Sequence, residues 1–202
     1  IADELVDGAA AQAHTDPAAA LDAYEQTILA APQQRLHTDP VVHAYAITAR
    51  RCGFHREHLV AFFSSMRADL TQREYSPSEL QAYIYGSAEA IGLLCLQIFL
   101  AEEDVSPADR AAMERGARAL GSAFQKINFL RDLSEDSSTL GRTYFQQVQS
   151  GRIDEATKSA LIAEIRRELA TAALTIDLLP ASARVGVSAA ADIFAELTNR
   201  LA

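Results

Sequence analysis

"SPADRAAMERGARALGSAFQKINFLRDLSED", residues 106–136, places a serine directly before a proline and then runs to Asp136 without another proline. A serine side chain caps the exposed N–H groups of a helix start, and proline at the first helical position costs no hydrogen bond. At about 1.5 Å per residue, the stretch from Pro107 to Asp136 predicts one helix roughly 45 Å long. Near its end, Asn128, Asp132 and Asp136 recur every fourth residue and share one ridge. Like charges at that spacing repel by roughly 0.2–0.5 kcal/mol per pair. Phe124, Ile127, Phe129, Leu130 and Leu133 surround the row, so it does not read as a solvated face. Something outside the helix must favour the arrangement.

The same punctuation recurs upstream. Asp16-Pro17, Asp39-Pro40 and Ser76-Pro77 repeat the cap-then-proline pattern, and Glu79 completes a capping box with Ser76. Between these starts the apolar residues keep helical spacing: Leu21, Tyr24, Ile28 and Leu29; Val42, Tyr45 and Ile47, closing at Gly53; Leu59, Phe62, Phe63 and Met66. A further helical pattern runs from Glu155 to Leu179, stops at Pro180 and resumes near Ser182. No stretch alternates with period two between turn signals, so the fold class is all-α, a compact single-domain bundle of long helices over residues 1–202. The expected loop, residues 137–153, follows the carboxylate ridge directly and carries Gly141, Arg142, Tyr144 and Gly151.

With 202 residues, 49% of them hydrophobic, the chain can bury a substantial core. A formal charge of -9 argues against nucleic acid and anionic membrane as default partners, since both select basic surfaces. Cys52 and Cys95 lie in apolar helical surroundings and read as core residues, which suits a reducing, cytoplasmic setting. The apolar stretch from Ile84 to Ala101 is interrupted by Glu89 and Gln97, which argues against a membrane span. The chain opens on Ile1 and no signal peptide is visible, so trimming at the ends is expected. His55 and His58, in "HREH", lack the four-residue spacing of a helical zinc pair and read as surface histidines.

A second acidic group, "DELVD" at residues 3–7, repeats the four-residue spacing with Asp3 and Asp7. Taken alone it also fits a first helical turn stabilised by acidic side chains. Two such ridges facing each other across a cavity would offer hard oxygen ligands suited to Mg²⁺, or Mn²⁺ in its place. Metal held in this way would bridge to a diphosphate and neutralise the charge of a leaving group.

"ALGSAFQKINFLRDLSEDSSTLGRTYF", residues 119–145, resembles the second aspartate-rich signature of the squalene and phytoene synthase family. "DELVD" resembles that family's first aspartate-rich motif. "YIYGSAEAIG", residues 83–92, is similar to its tyrosine-rich segment, with Glu89 where many members carry glycine, and "SSMRADL", residues 64–70, is similar to the stretch before it. The resemblance implies an isoprenoid synthase helical bundle with a central cavity, and a head-to-head condensation of two identical prenyl diphosphates through a cyclopropylcarbinyl diphosphate. It implies that Asp3 and Asp7 form the first metal-binding pair, that Asn128, Asp132 and Asp136 form the second, and that Gln125, Asn128 and Arg131 contact diphosphate. Arg142 and Tyr144 would close over that site, and Tyr83 would stand near the reacting carbons. Gly86 and Gly92 sit inside a helix, where each costs about 1 kcal/mol relative to alanine, which suggests a close approach, expected here to a prenyl chain.

No dinucleotide fingerprint is present, so NADPH is not expected. The leading expectation is a phytoene-type synthase acting on geranylgeranyl diphosphate in carotenoid biosynthesis. The alternatives are a squalene or dehydrosqualene synthase acting on farnesyl diphosphate, and an inactive helical homologue serving as an interaction module. Oily substrates and product lead to an expectation of peripheral membrane contact.

Overall fold

The structure, a computed structural model, describes residues 1–135, 144 and 153–202. Every regular element among the described residues is helical: α1 (Ala2–Val6), α2 (Ala9–Gln12), α3 (Pro17–Ala30), α4 (Pro40–Cys52), α5 (Arg56–Thr71), α6 (Pro77–Ile84), α7 (Ala90–Phe99), α8 (Pro107–Glu135), α9 (Glu155–Ile176) and α10 (Ala181–Leu201). A single π-helical turn, Tyr85–Glu89, joins α6 to α7.

The proline-marked starts fall where the caps place them. Asp16 Oδ1 accepts from the Ala18 N–H at 3.0 Å, and Asp39 Oδ1 from Val41 and Val42 at 2.8 and 3.0 Å. Ser76 and Glu79 exchange side-chain bonds with each other's backbone N–H at 3.3 and 2.8 Å, a complete capping box. At α8, Ser106 Oγ accepts from the Asp109 N–H at 3.1 Å and donates to Asp109 Oδ2 at 2.7 Å. Gly53, at φ +65°, ends α4 in the left-handed conformation that glycine adopts without penalty.

α8 is the spine. One side buries Ala123 and Ile127 against Leu161 and Ile165 of α9, and another side meets α7 and the π turn. Fully burying a side chain such as Ile127 or Ile165 contributes about 1.5–3 kcal/mol. A second core joins α1, α3, α4 and α5 through Leu21, Ile28, Val42 and Phe63. The central helices approach at backbone distance. A Cβ on Gly86 would lie 2.2 Å from the Ala61 carbonyl oxygen, one on Gly92 2.7 Å from that of Ala117, and one on Gly121 2.7 Å from that of Ala88. The close approach expected at Gly86 and Gly92 is therefore to neighbouring helices, α5 and α8 respectively, rather than to a prenyl chain.

One other sequence expectation needs correction. Cys52 is half-buried and Cys95 exposed, so neither is a core residue. Counted from Pro77, the helix through Phe99 is long and apolar enough by length and composition to cross a membrane, although 44% of its most apolar window is buried against the rest of the fold.

Candidate functional site

The α8 ridge begins at Gln125 and Asn128, both half-buried, and continues to the exposed Arg131 and half-buried Asp132. Arg131 Nε and Nη2 donate to the two carboxylate oxygens of Asp132, each at 2.6 Å, in the two-pronged geometry that a guanidinium also offers to phosphate. Asp136 and Arg142 lie outside the described residues. On α1, Asp3 stands exposed in the first turn and Asp7 is the exposed C-cap, its N–H bonded to the Asp3 carbonyl at 2.8 Å, so the four-residue spacing survives at the helix end.

α1 packs on α3 and α5, and α8 packs on α6, α7, α9, α10 and the π turn; α5, which also packs on the π turn, lies between them. Asp3, Asp7 and Asp132 do not form a cluster with ligand atoms within 4.8 Å of one another. Nor do they line either of the cavities described below. Asp132 instead turns onto Arg131, which offsets its charge locally.

An apolar cavity of about 540 Å³ lies between α7, α8, α9 and α10, its walls including Ile91, Cys95, Phe99, Leu120, Phe124 and Val187. Its relation to the ridge follows from helical spacing. Leu120, Phe124, Asn128 and Asp132 are four apart on α8, so the polar ridge continues a row of side chains that begins on the cavity wall and turns about 40° around the helix at each step. Asn128 lies one turn, roughly 6 Å, beyond Phe124. Across the cavity Ser87, Ile91 and Cys95 repeat the same spacing, and Tyr83 precedes Ser87 by four residues. The polar ridge and Tyr83 therefore mark the same end of the apolar space.

Tyr83 is buried and its hydroxyl donates to Asp69 Oδ1 at 2.9 Å. Burial, then the charge of Asp69, pushes the phenol's pKa well above the ordinary tyrosine range, so it remains protonated. Its ring packs among Tyr75, Phe129 and Tyr144, with centroids at 5.2, 6.0 and 5.8 Å, and Tyr144 stacks on Phe129 at 4.0 Å. Sequence reasoning found Tyr83 and Tyr144 but missed Asp69, Tyr75 and Phe129 as their partners. The signal for Asp69 was its position in phase with the apolar residues Phe62 and Met66, where a carboxylate demands a buried partner.

A second cavity, of about 520 Å³, borders this aromatic group and includes Tyr75, Tyr144, Ser122 and Lys126. Lys126 Nζ donates to Glu164 at 2.5 Å and to Glu168 at 2.6 Å, and Ser122 Oγ donates to Glu168 at 2.9 Å. Burial pulls the Lys126 ammonium down, but the bonds from Glu164 and Glu168 outweigh it and raise its pKa. This network, which the sequence did not reveal, ties α8 to α9 in the turn that carries Gln125.

Of the two histidines expected at the surface, His55 is exposed and His58 is not. Glu89, buried, accepts from Arg118 Nε at 2.7 Å, and that guanidinium lies 5.4 Å from the centroid of the Tyr85 ring. His58 is buried rather than on the surface, with Nδ1 3.0 Å from the Tyr85 hydroxyl. Tyr85 turns towards His58 while Tyr83 faces Asp69, since residues two apart on a helix point to different sides.

The squalene/phytoene synthase family model matches residues 1–202. Phytoene synthase 3 of Zea mays is 37% identical over 149 residues, covering 72% of this chain and 33% of its own length. Phytoene synthase 1 of Arabidopsis thaliana is 33% identical over 160 residues, covering 76% of this chain and 36% of its own. The chain thus spans about a third of the length of these relatives. In fold it is similar to the crystal structure of squalene synthase HpnC from Alicyclobacillus acidocaldarius, with a TM-score of 0.81, 20% identity, and coverage of 99% of this chain and 79% of that one. The isoprenoid synthase helical fold is shared with that structure. The α8 row that runs from an apolar cavity wall to a carboxylate ridge thus lies within a match extending from end to end, and the chain belongs to the squalene/phytoene synthase family.

Proposed function

We propose that the chain carries the active site of a Mg²⁺-dependent prenyltransferase that condenses two geranylgeranyl diphosphates head to head to phytoene. The observation that carries this reading is the row of side chains along α8 in which Leu120 and Phe124 of the apolar wall are followed, at four-residue steps, by Asn128 and Asp132. A prenyl diphosphate has the same division, an apolar chain ending in a charged head. The phytoene synthases among the relatives favour the C20 substrate.

The donor set fits the metal. Asp3, Asp7, Asn128 and Asp132 supply hard oxygens on accessible or half-buried turns, and would hold the ion together with Asp136 from outside the described residues. Bound there, Mg²⁺ would supply electrostatic stabilisation of the departing diphosphate. Arg131 has a fork already set for two oxygens and would exchange Asp132 for phosphate, with Gln125 donating beside it. The apolar cavity would hold the prenyl chains away from water that would quench an allylic cation. Tyr83, kept protonated by burial and Asp69, would present a hydrogen-bond donor and a ring face rather than a base. Tyr144 would act through its stacking on Phe129, holding the end of the α8 ridge.

The alternative is the C15 substrate, farnesyl diphosphate, giving a squalene-type product; the fold likeness to a squalene synthase keeps it in view. Mass analysis of the hydrocarbon formed from each diphosphate with Mg²⁺, with and without NADPH, separates the readings. A C40 product without NADPH is the expected result. A C30 product would move the assignment to the alternative, and no product from either would favour the interaction-module reading.

A further inference from the structure

We propose that His55, Glu57 and His58, where α5 begins, form a binding site for a borderline divalent cation of the zinc class, separate from the carboxylate ridges. Among the described residues they are the group of three such side chains whose ligand atoms lie within 4.8 Å of one another. The His55 and His58 rings stack with centroids 5.6 Å apart and planes 24° from parallel, and Glu57 Oε1 is 3.8 Å from His55 Nδ1. A tetrahedral zinc ion with bonds of about 2.0–2.1 Å sets its ligands roughly 3.4 Å apart. His55 and Glu57 are exposed and free to rotate inward over the remaining distance.

The three-residue spacing does not count against the site. His55 is the N-cap of α5, with extended backbone at φ -75° and ψ 120°, so its direction is not set by the helix. The rule that pairs histidines four apart applies within a helix, and here the helix starts between them. His58 is fixed from behind, because its Nδ1 lies 3.0 Å from the Tyr85 hydroxyl. With Nδ1–H donating to that oxygen, Nε2 carries the lone pair, the arrangement by which outer partners orient histidine ligands.

The surrounding charges are mixed. Glu57 and Glu114 favour a cation near His58; Arg118 and the positive end of α5 oppose it, but Arg118 is engaged with Glu89 at 2.7 Å. Two imidazoles and one carboxylate select zinc, nickel or copper over Mg²⁺, and three protein ligands leave one position for water. Tyr85 opens the π turn two residues after Tyr83, so an ion here would brace α5 against the segment that carries Tyr83.

The test is calorimetric titration of chelator-stripped protein with ZnCl₂ in excess Mg²⁺, alongside His55→Ala and Glu57→Gln. Both side chains are exposed, so the fold should persist, as circular dichroism would check. One zinc site is expected, weakened roughly tenfold or more by each substitution. In the unsubstituted protein, imidazole ¹⁵N spectra should show Nε2 of His58 shifting on zinc addition while Nδ1 stays in place. No zinc binding, or zinc affinity unchanged in both variants, as a site at His37 and His43 would give, overturns the proposal.

Discussion

Asp132 is 37% exposed and paired with Arg131, itself 50% exposed, so the pair contributes little to stability, on the order of 0–1 kcal/mol. Asp132→Asn should therefore leave the thermal midpoint nearly unchanged. Under the proposed function it should cost about 100-fold or more in turnover, comparable to losing one electrostatic contact made to a developing negative charge. Steady-state kinetics and calorimetry on the same sample check both halves. Tyr83→Phe deletes the hydroxyl bonded to buried Asp69, a charge-assisted bond worth about 1.5–3 kcal/mol. A midpoint lowered by several degrees is the expected outcome. At this scale the ridge was legible, because four-residue spacing of Asn128 and Asp132 among apolar neighbours is a pattern along one chain. Asp69 and Lys126 were not, since each is explained only by a partner on another helix, Tyr83 for one and Glu164 with Glu168 for the other.

Among the elements, α8 does the most to organise the site, and its start and length were readable from Ser106-Pro107 and the proline-free run that follows. The π turn was not readable, because inserting one residue into a helical ladder leaves no compositional mark. Glycine chemistry at this interface is testable. Gly121→Ala would push a methyl group to 2.7 Å from the Ala88 carbonyl oxygen, and should destabilise by roughly 1–3 kcal/mol in urea unfolding. Gly186→Ala in α10 meets nothing within 4 Å and should stabilise by about 0.5–1 kcal/mol. Lys126→Met would leave Glu168, whose side chain is 21% exposed, without its buried counter-charge, at an expected cost of about 3–5 kcal/mol. Adding Glu164→Met and Glu168→Leu should recover most of that loss, which unfolding of the triple variant would report.

For the molecule as a whole, fold class and helix order could be read from caps and periodicity, whereas the relative placement of α1 and α8 could not, being set by the helices packed between them. The pH dependence is also a property of the whole. Folding raises the pKa of Tyr83 and Lys126 and carries that of Tyr45 to about 12. A group raised in the folded state stabilises it fully below its unfolded pKa, and that contribution is lost as pH rises through the folded value. For these groups stability should hold up to about pH 9.5 and fall steeply above about pH 10, the unfolded tyrosine and lysine range. Urea midpoints across that interval check the sign, and Tyr83→Phe should make the fall shallower.

Under the proposed function, the α8 ridge and the apolar space beside it together receive a prenyl diphosphate. The most direct measurement is the release of inorganic diphosphate from geranylgeranyl diphosphate by the wild-type protein and by Asp132→Asn, with Mg²⁺ and with chelator. The account predicts release that requires Mg²⁺ and falls about 100-fold in the variant. Release at equal rates from both proteins, or no release from wild type with either geranylgeranyl or farnesyl diphosphate, would contradict it.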